Sequence, residues 1–155
     1  MKKRQSGFTL IELLVVIGIL AVLLAIVLIA INPARQFAQA NNAKRSSDVN
    51  AILNAIHQYG ADNRGNLTAL GLPAAGADPV IITDVNVPGL CAALVPMYMA
   101  ALPVDPLTNN GDPIEPAECG AAYSTNYTVA QGANGRITIA APATELGIPV
   151  ISVLR

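Results

Sequence analysis

The sequence has little charge and little aromatic character. Only 12% of its 155 residues are charged and 4% are aromatic, with no tryptophan, whereas charged residues make up about 25% of an ordinary soluble domain. The apolar share reaches 53%. Because a single globular core does not need that excess, the composition predicts a membrane-inserted segment attached to one domain of ordinary size.

Groups that carry catalysis or bind phosphates are also scarce. The chain has one histidine, and no serine lies beside a candidate base in the sequence, so the arrangement that activates a nucleophile is missing. The formal net charge is −1, which argues against a nucleic-acid partner because such binding depends on phosphate neutralisation by Lys and Arg. We therefore expect a protein that is not an enzyme, needs no cofactor and binds no nucleic acid.

A long apolar run begins at Phe8 and continues to Ile31. Its 24 residues are interrupted only by Thr9, Gly18 and the charged Glu12. A helix of this length reaches roughly 36 Å, enough to cross a hydrocarbon layer of about 30 Å. The run is therefore a candidate membrane span.

The flanks of this run predict its orientation. Lys2, Lys3 and Arg4 precede it, which favours a cytoplasmic N-terminus with the bulk of the chain outside. Hydropathy alone allows an ordinary signal anchor. A cleaved secretory signal fits less well, because the run is followed by Asn32, Pro33, Ala34 and Arg35 rather than by small residues.

The helical pattern continues beyond the apolar run but becomes amphipathic. Apolar residues recur at the spacing of one helical face, at Val49, Ile52, Leu53, Ile56 and Tyr59. We predict one helix from about Phe8 to Tyr59, apolar all round in its first half. Pro33 removes one backbone hydrogen bond, so a kink or loosened turn is expected there. Gly60 is the expected end of the helix.

The rest of the chain predicts a small sheet. Short β-type runs occur at residues 80–82, 127–130, 136–140 and 149–154, and the Gly/Asn-rich residues 131–135 predict a hairpin between the middle two. The apolar run 90–102 predicts a short helix around Pro96. The expected fold class is α+β, with the amphipathic half of the long helix packed on a small antiparallel sheet.

The start of the apolar run carries the most specific pattern. Gly7 and Phe8 follow the basic tip, and Glu12 stands at the fifth apolar-helix position. An ionised carboxylate deep in a bilayer costs on the order of 3 kcal/mol, so Glu12 requires a cation. If the chain were cut after Gly7, the free amine of Phe8 in an adjacent copy would supply one.

The residues from Lys2 to Ile31 resemble the class III leader and N-terminal helix of type IV pilins and type II secretion pseudopilins. The resemblance implies cleavage between Gly7 and Phe8 by a prepilin peptidase, methylation of the Phe8 amine, and a role for Glu12 in docking a new subunit. The segment 102–106 also resembles a motif of pilin and pseudopilin heads. One departure concerns the helix proline, which in the family would fall near Ile29 and here is Pro33.

The resemblance divides the chain into four segments: a leader at 1–7, a membrane and filament-core helix at 8–32, an amphipathic half at 33–60, and a head at 61–155. It implies a structural subunit of a type IV pilus-like filament, with copies of itself, the peptidase and an ATPase-driven assembly machine as partners. The precursor would lie in the inner membrane and the filament in the periplasm or at the cell surface. Alternatives are a pseudopilin of a type II secretion or DNA-uptake system and, more distantly, a monomeric membrane-tethered domain.

Two features of the head have predicted chemistry. Cys91 and Cys119 are an even pair in an exported domain, which predicts a disulfide rather than two free thiols. Asp105 and Asp112 lie in a Pro/Gly-rich loop with further oxygen ligands, which makes them calcium candidates. The alternative for this loop is a solvated acidic turn without metal.

Overall fold

A computed structural model describes residues 7–155 of the chain. The backbone forms two compact units that divide between Phe37 and Ala38.

The first unit consists mainly of α1 (Leu10–Ile31). Thr9 precedes it in an extended conformation and caps its first turn. None of the 22 residues of α1 is buried, because the helix is apolar on every side and no other part of the unit covers it. Among residues 7–155, it is the one helix long and apolar enough to cross a membrane.

The helix that follows, α2, runs from Pro33 to Asp62. We predicted one helix with a loosened turn at Pro33, and the structure has two helices separated by Asn32. Asn32 adopts a left-handed backbone (φ 47°, ψ 77°), a conformation that asparagine tolerates better than most residues. Its main-chain oxygen accepts hydrogen bonds from the N–H groups of Arg35 and Gln36, at 3.1 and 3.4 Å, at the start of α2.

The end of α2 lies two residues beyond the expected Gly60. The chain turns at Asn63–Gly65, where the N–H of Gly65 donates to the Gly60 carbonyl at 2.7 Å. Gly65 has φ +83°, a conformation that glycine adopts without strain. The first glycine therefore remains helical and the second one ends the helix.

The second unit contains a four-stranded antiparallel sheet in the order β1-β2-β3-β4. Its strands are Val80–Thr83, Ser124–Gln131, Ile137–Ala141 and Ile151–Leu154. Each strand pairs with the next one along the chain, so the predicted hairpin is present as β2 and β3. The expected α+β class is confirmed.

The hydrophobic core of this unit joins α2 to the sheet. The predicted apolar face of α2 is buried, except that Tyr59 is partly exposed. Strand residues of alternating position complete the same cluster: Tyr127, Val129, Ile137, Ile139 and Ala141. These periodicities of 3.6 and 2 are the ones that the sequence showed.

The short helix α3 (Leu90–Leu94) is shorter than expected. It ends before Val95, which has an extended backbone (φ −104°, ψ 133°), because a residue that precedes proline avoids the helical region. Gly89 precedes α3 and lies against the carbonyl oxygen of Ala69, where a Cβ atom would come within 1.8 Å. Only glycine fits this close approach.

Candidate functional site: the start of the first helix and the polar cluster of the head

Thr9 and Glu12 close a reciprocal capping box at the start of α1. The Thr9 N–H and hydroxyl each donate to Oε2 of Glu12 at 2.7 Å. The Glu12 N–H donates back to the Thr9 hydroxyl at 3.3 Å. Two otherwise unpaired helix N–H groups are satisfied in this way, and the carboxylate stands at the positive end of the helix dipole. Within one copy, Glu12 is therefore held by local groups and by no side-chain cation among the described residues.

The residues on either side of the expected cleavage are exposed. Gly7 has no neighbouring atom close enough to obstruct an added Cβ, and Phe8 is 85% exposed. The basic residues Lys2, Lys3 and Arg4 lie outside the described residues. Residues 7–9 lie outside regular secondary structure and are exposed, which is the accessibility that a protease site needs.

A second group of polar residues lies where α2 packs on the head, around the buried side chain of Arg45 on α2. Its Nε and Nη2 donate to the two carboxylate oxygens of Asp105 at 2.6 and 3.1 Å, and both side chains are almost completely buried. The Asp105 hydrogen bond is the main reason that the pKa of Arg45 is raised above its ordinary value. The pair is therefore a buried two-point contact between α2 and the head.

Glu145, in the connection between β3 and β4, completes this polar cluster. Its carboxylate accepts hydrogen bonds from Arg45 Nη1 and from the Asn41 amide, both at 2.8 Å. The Asn42 side chain binds the main chain of Glu145. It accepts a hydrogen bond from the Glu145 N–H and donates one to the Glu145 carbonyl, both at 3.0 Å. The Arg45 hydrogen bond, followed by that of Asn41, lowers the pKa of Glu145.

A neighbouring contact joins the next turn of α2 to the sheet. The Tyr127 hydroxyl donates to the Asp48 carboxylate at 2.7 Å. Burial, and then this bond, raise the pKa of Tyr127 above its ordinary value. The Lys44 ammonium lies 3.4 Å from the same Asp48 carboxylate oxygen, Oδ2. These contacts attach residues 41–48 of α2 to three separate parts of the head.

The calcium candidates are not brought together by these contacts. Both Asp105 oxygens are engaged by Arg45, and one also accepts the Leu107 N–H at 3.0 Å. Asp112 is exposed and takes no part in the cluster. Within residues 7–155, no group of three acidic, histidine or cysteine side chains has the arrangement of a metal site. Asp105 therefore acts as the partner of a buried arginine, which the sequence analysis did not foresee.

The two cysteines are joined to each other. Cys91 lies on α3 and Cys119 follows a 3-10 helix at Pro116–Glu118, with 5.4 Å between their Cα atoms. The bond connects two loop-rich segments on one side of the core. It shares no residue with the polar cluster, although Asp105 lies within the loop of chain that the bond closes.

The sequence analysis missed Asn42, Arg45 and Glu145. A signal for the first two was present: Arg45 lies four residues before Val49, so the buried stripe of α2 continues through it. An arginine in a buried stripe requires an acidic partner. Nothing local pointed to Glu145, which is 100 residues away.

Comparison with known proteins agrees with the features at the N-terminus. Residues 2–28 match the family model of the prokaryotic N-terminal methylation motif. The chain is 33% identical over 126 residues to the type II secretion system core protein G of Aeromonas hydrophila, covering 77% of this chain and 79% of that protein. It is 32% identical over 122 residues to the corresponding protein of Escherichia coli K12, covering 76% and 77%. No solved structure matches the chain significantly.

Proposed function

The chain belongs to the family of type II secretion system core protein G, and from that premise we propose that it is a non-catalytic subunit of a secretion-type filament. In this proposal it is made as a precursor with a leader at 1–7. It is then cut between Gly7 and Phe8 and assembles through α1.

The observation that carries the proposal is the exposure of α1, most of which lies within the methylation motif at residues 2–28. None of its 22 residues is buried, and its large apolar side chains are roughly half exposed or more. A helix apolar on every side is stable in lipid or inside a bundle, and not in water. A subunit that is first anchored in a membrane and later packs α1 into a filament keeps this helix out of water in both states.

Glu12 has a specific role in this scheme. In one copy, Thr9 is the one hydrogen-bond partner of its carboxylate among residues 7–155. When a second copy packs alongside, the amine of its Phe8 supplies a full positive charge in a low-dielectric setting, where the attraction is strong. The pairing defines the axial stagger of neighbouring helices, a use for which buried polar groups are known.

The partners and location follow from the same scheme. The partners are further copies of this chain, a prepilin peptidase and an ATPase-driven assembly machine. The machine extracts the subunit, because removing α1 from lipid is steeply unfavourable. The precursor resides in the inner membrane with its N-terminus in the cytoplasm. The assembled filament extends into the periplasm.

A surface pilus is the second candidate. The sequence analysis placed it first, and the start of α1 fits it equally well. Both reported relatives are secretion proteins, which favours the secretion branch. Imaging of filaments that contain this chain, together with secretion in a strain that lacks it, separates the two.

The test of assembly is Glu12→Ala in the full-length chain. The variant should insert and be cleaved like the wild type, because removing a carboxylate lowers the cost of insertion. It should nevertheless be strongly depleted from sheared or sedimented filaments. The measurement is the fraction of chain in filaments relative to the membrane.

Two variants serve as controls for this experiment. Val16→Ala removes apolar surface from the same helix and should assemble. Glu12→Gln keeps the size of the side chain and should assemble poorly, because it lacks the charge. Wild-type filament yield from Glu12→Ala would show that the carboxylate is incidental, and absence of wild-type filaments would reject the filament function.

A further inference from the structure

A run of apolar side chains is exposed in the β3–β4 connection, residues 142–150. Leu146, Ile148 and Val150 are 49%, 40% and 55% exposed. Isolated exposed apolar residues are ordinary, whereas several in one short segment indicate a contact surface.

This connection is held firmly although its apolar side chains face solvent. Glu145 is bound through both its main chain and its carboxylate by Asn41, Asn42 and Arg45. The Thr144 hydroxyl donates to the Ile148 carbonyl at 2.8 Å and closes the segment on itself. A loop held in this way is pre-organised, so a partner would lose little entropy in ordering it.

The backbone at Leu146 supports the same reading. Its φ is +63°, in the left-handed region that a leucine rarely adopts and that asparagine or glycine would occupy at lower cost. The strained conformation of an exposed residue does not improve the packing of the head to which it belongs. Strain of this kind is a reason to look for a function.

The charge of the segment limits the type of partner. Glu145 is the single charged residue between Ile137 and Leu154, and it is paired with Arg45, which also binds Asp105. Residues 38–155 carry five basic and nine acidic side chains, so two copies of this unit carry net charge of the same sign. An apolar segment whose one charge is paired is where two copies can touch with little like-charge repulsion.

A lipid surface is a poorer match for the segment. Residues 142–150 contain no Trp, Tyr, Lys or Arg, the side chains that anchor proteins at a membrane interface.

The small area of the segment also favours a tethered partner. Three half-exposed aliphatic side chains do not bury enough area for a stable dimer of free heads. Copies already joined through α1 have a high effective concentration, at which a small contact suffices.

We propose that residues 142–150, presented by the Glu145–Arg45 contact, dock onto the head of a second copy of this chain in the filament. The proposal rests on the proposed function, because the α1 contact supplies the tethering. It adds a specific head-to-head contact to that function.

The first test is the double variant Leu146→Asn with Ile148→Asn in the full-length chain. Asparagine tolerates the left-handed backbone, so thermal unfolding of the head should occur at the wild-type temperature or higher. The filament fraction should fall, with an apparent assembly constant about tenfold weaker. Met97→Gln is the matched control, because Met97 is 80% exposed on another turn of the head.

The second test places a benzophenone amino acid at position 148 and irradiates cells that express the full chain. The expected product is an adduct of two copies of this chain, confirmed by peptide mass, which disappears when Glu12→Ala blocks assembly. An adduct with lipid only or with another protein only would overturn the proposal. So would wild-type filament yield from the double variant.

The outcomes also distinguish the head contact from the filament function on which it rests. Wild-type filaments without a self-adduct at position 148 would reject the head contact and keep the filament. A self-adduct in cells that form no filament would reject the filament function and, with it, the tethered contact proposed here.

Discussion

Arg45 and Asp105 form a buried two-point ion pair between α2 and the loop that follows residues 102–104, with N–O distances of 2.6 and 3.1 Å. Desolvation of two charges offsets most of their attraction, so such a pair adds little net stability. Breaking it is expensive, because the remaining charge is buried alone. We therefore expect the pair to fix the position of α2 against this loop more than it adds to the stability of the head.

Arg45→Met should destabilise the head by about 3–5 kcal/mol, because it leaves the Asp105 carboxylate buried without a cation. Arg45→Met combined with Asp105→Asn should recover much of this loss, since asparagine is neutral and can still accept the Leu107 N–H. Urea unfolding of the mature chain in detergent measures the differences. Lys44→Met is the control: its partly exposed pair with Asp48 is worth about 1 kcal/mol or less. Equal stabilities for the Arg45 and Lys44 variants would contradict the role of the buried pair.

Acid should weaken the head through Glu145. Its pKa is lowered from the ordinary value of 4.5 by the Arg45 and Asn41 hydrogen bonds. A carboxyl whose pKa is lower in the folded state stabilises the fold above its unfolded pKa, and that contribution disappears as pH falls through the folded value. Stability should therefore drop below about pH 4.5, and Glu145→Gln should flatten the drop. Denaturant midpoints measured from pH 7 to pH 3 for the wild type and for Glu145→Gln test this prediction. Parallel plots of midpoint against pH would exclude Glu145 as a contributor.

The Cys91–Cys119 bond should stabilise the head. For a sequence separation of 28, the chain-entropy model gives about 3.6 kcal/mol. Replacing both cysteines by alanine should lower the unfolding midpoint while the sheet is retained. Peptide mapping of native protein after thiol blocking, without reduction, should recover one linked peptide pair. Recovery of both peptides in alkylated form would refute the bond in cells.

Processing should remove residues 1–7. Intact-mass analysis of native protein is expected to show a chain that begins at Phe8, with one added methyl group on its amine. Gly7→Val should block the cut, because a branched side chain replaces the open backbone at residue 7. The uncut variant should remain in the membrane fraction. A wild-type chain that still begins at Met1 would reject both the processing site and the assembly scheme that depends on it.

The apolar helix α1, the amphipathic face of α2 and the hairpin of β2 and β3 were all predictable from local patterns. The apolar run of α1 needs only its length, and the other two need only periodicities of 3.6 and 2 over a few residues. The family resemblance was equally local, because the methylation motif is contained in residues 2–28. The predicted ends of α2 and α3 were wrong for reasons that are also local. Gly60 remains helical, and the extended backbone of Val95 ends α3 before Pro96.

The sequence by itself determined that this chain has an apolar helix long enough to span a membrane, an N-terminal methylation motif and an α+β head. Only the tertiary structure decided that Arg45 pairs with Asp105 and Glu145, which lie 60 and 100 residues away, and that both carboxylate oxygens of Asp105, a calcium candidate, bind this arginine. The physical reason is that periodicity reports which face of an element is buried and nothing about what covers it. The partner of a buried charge is chosen by how distant segments pack.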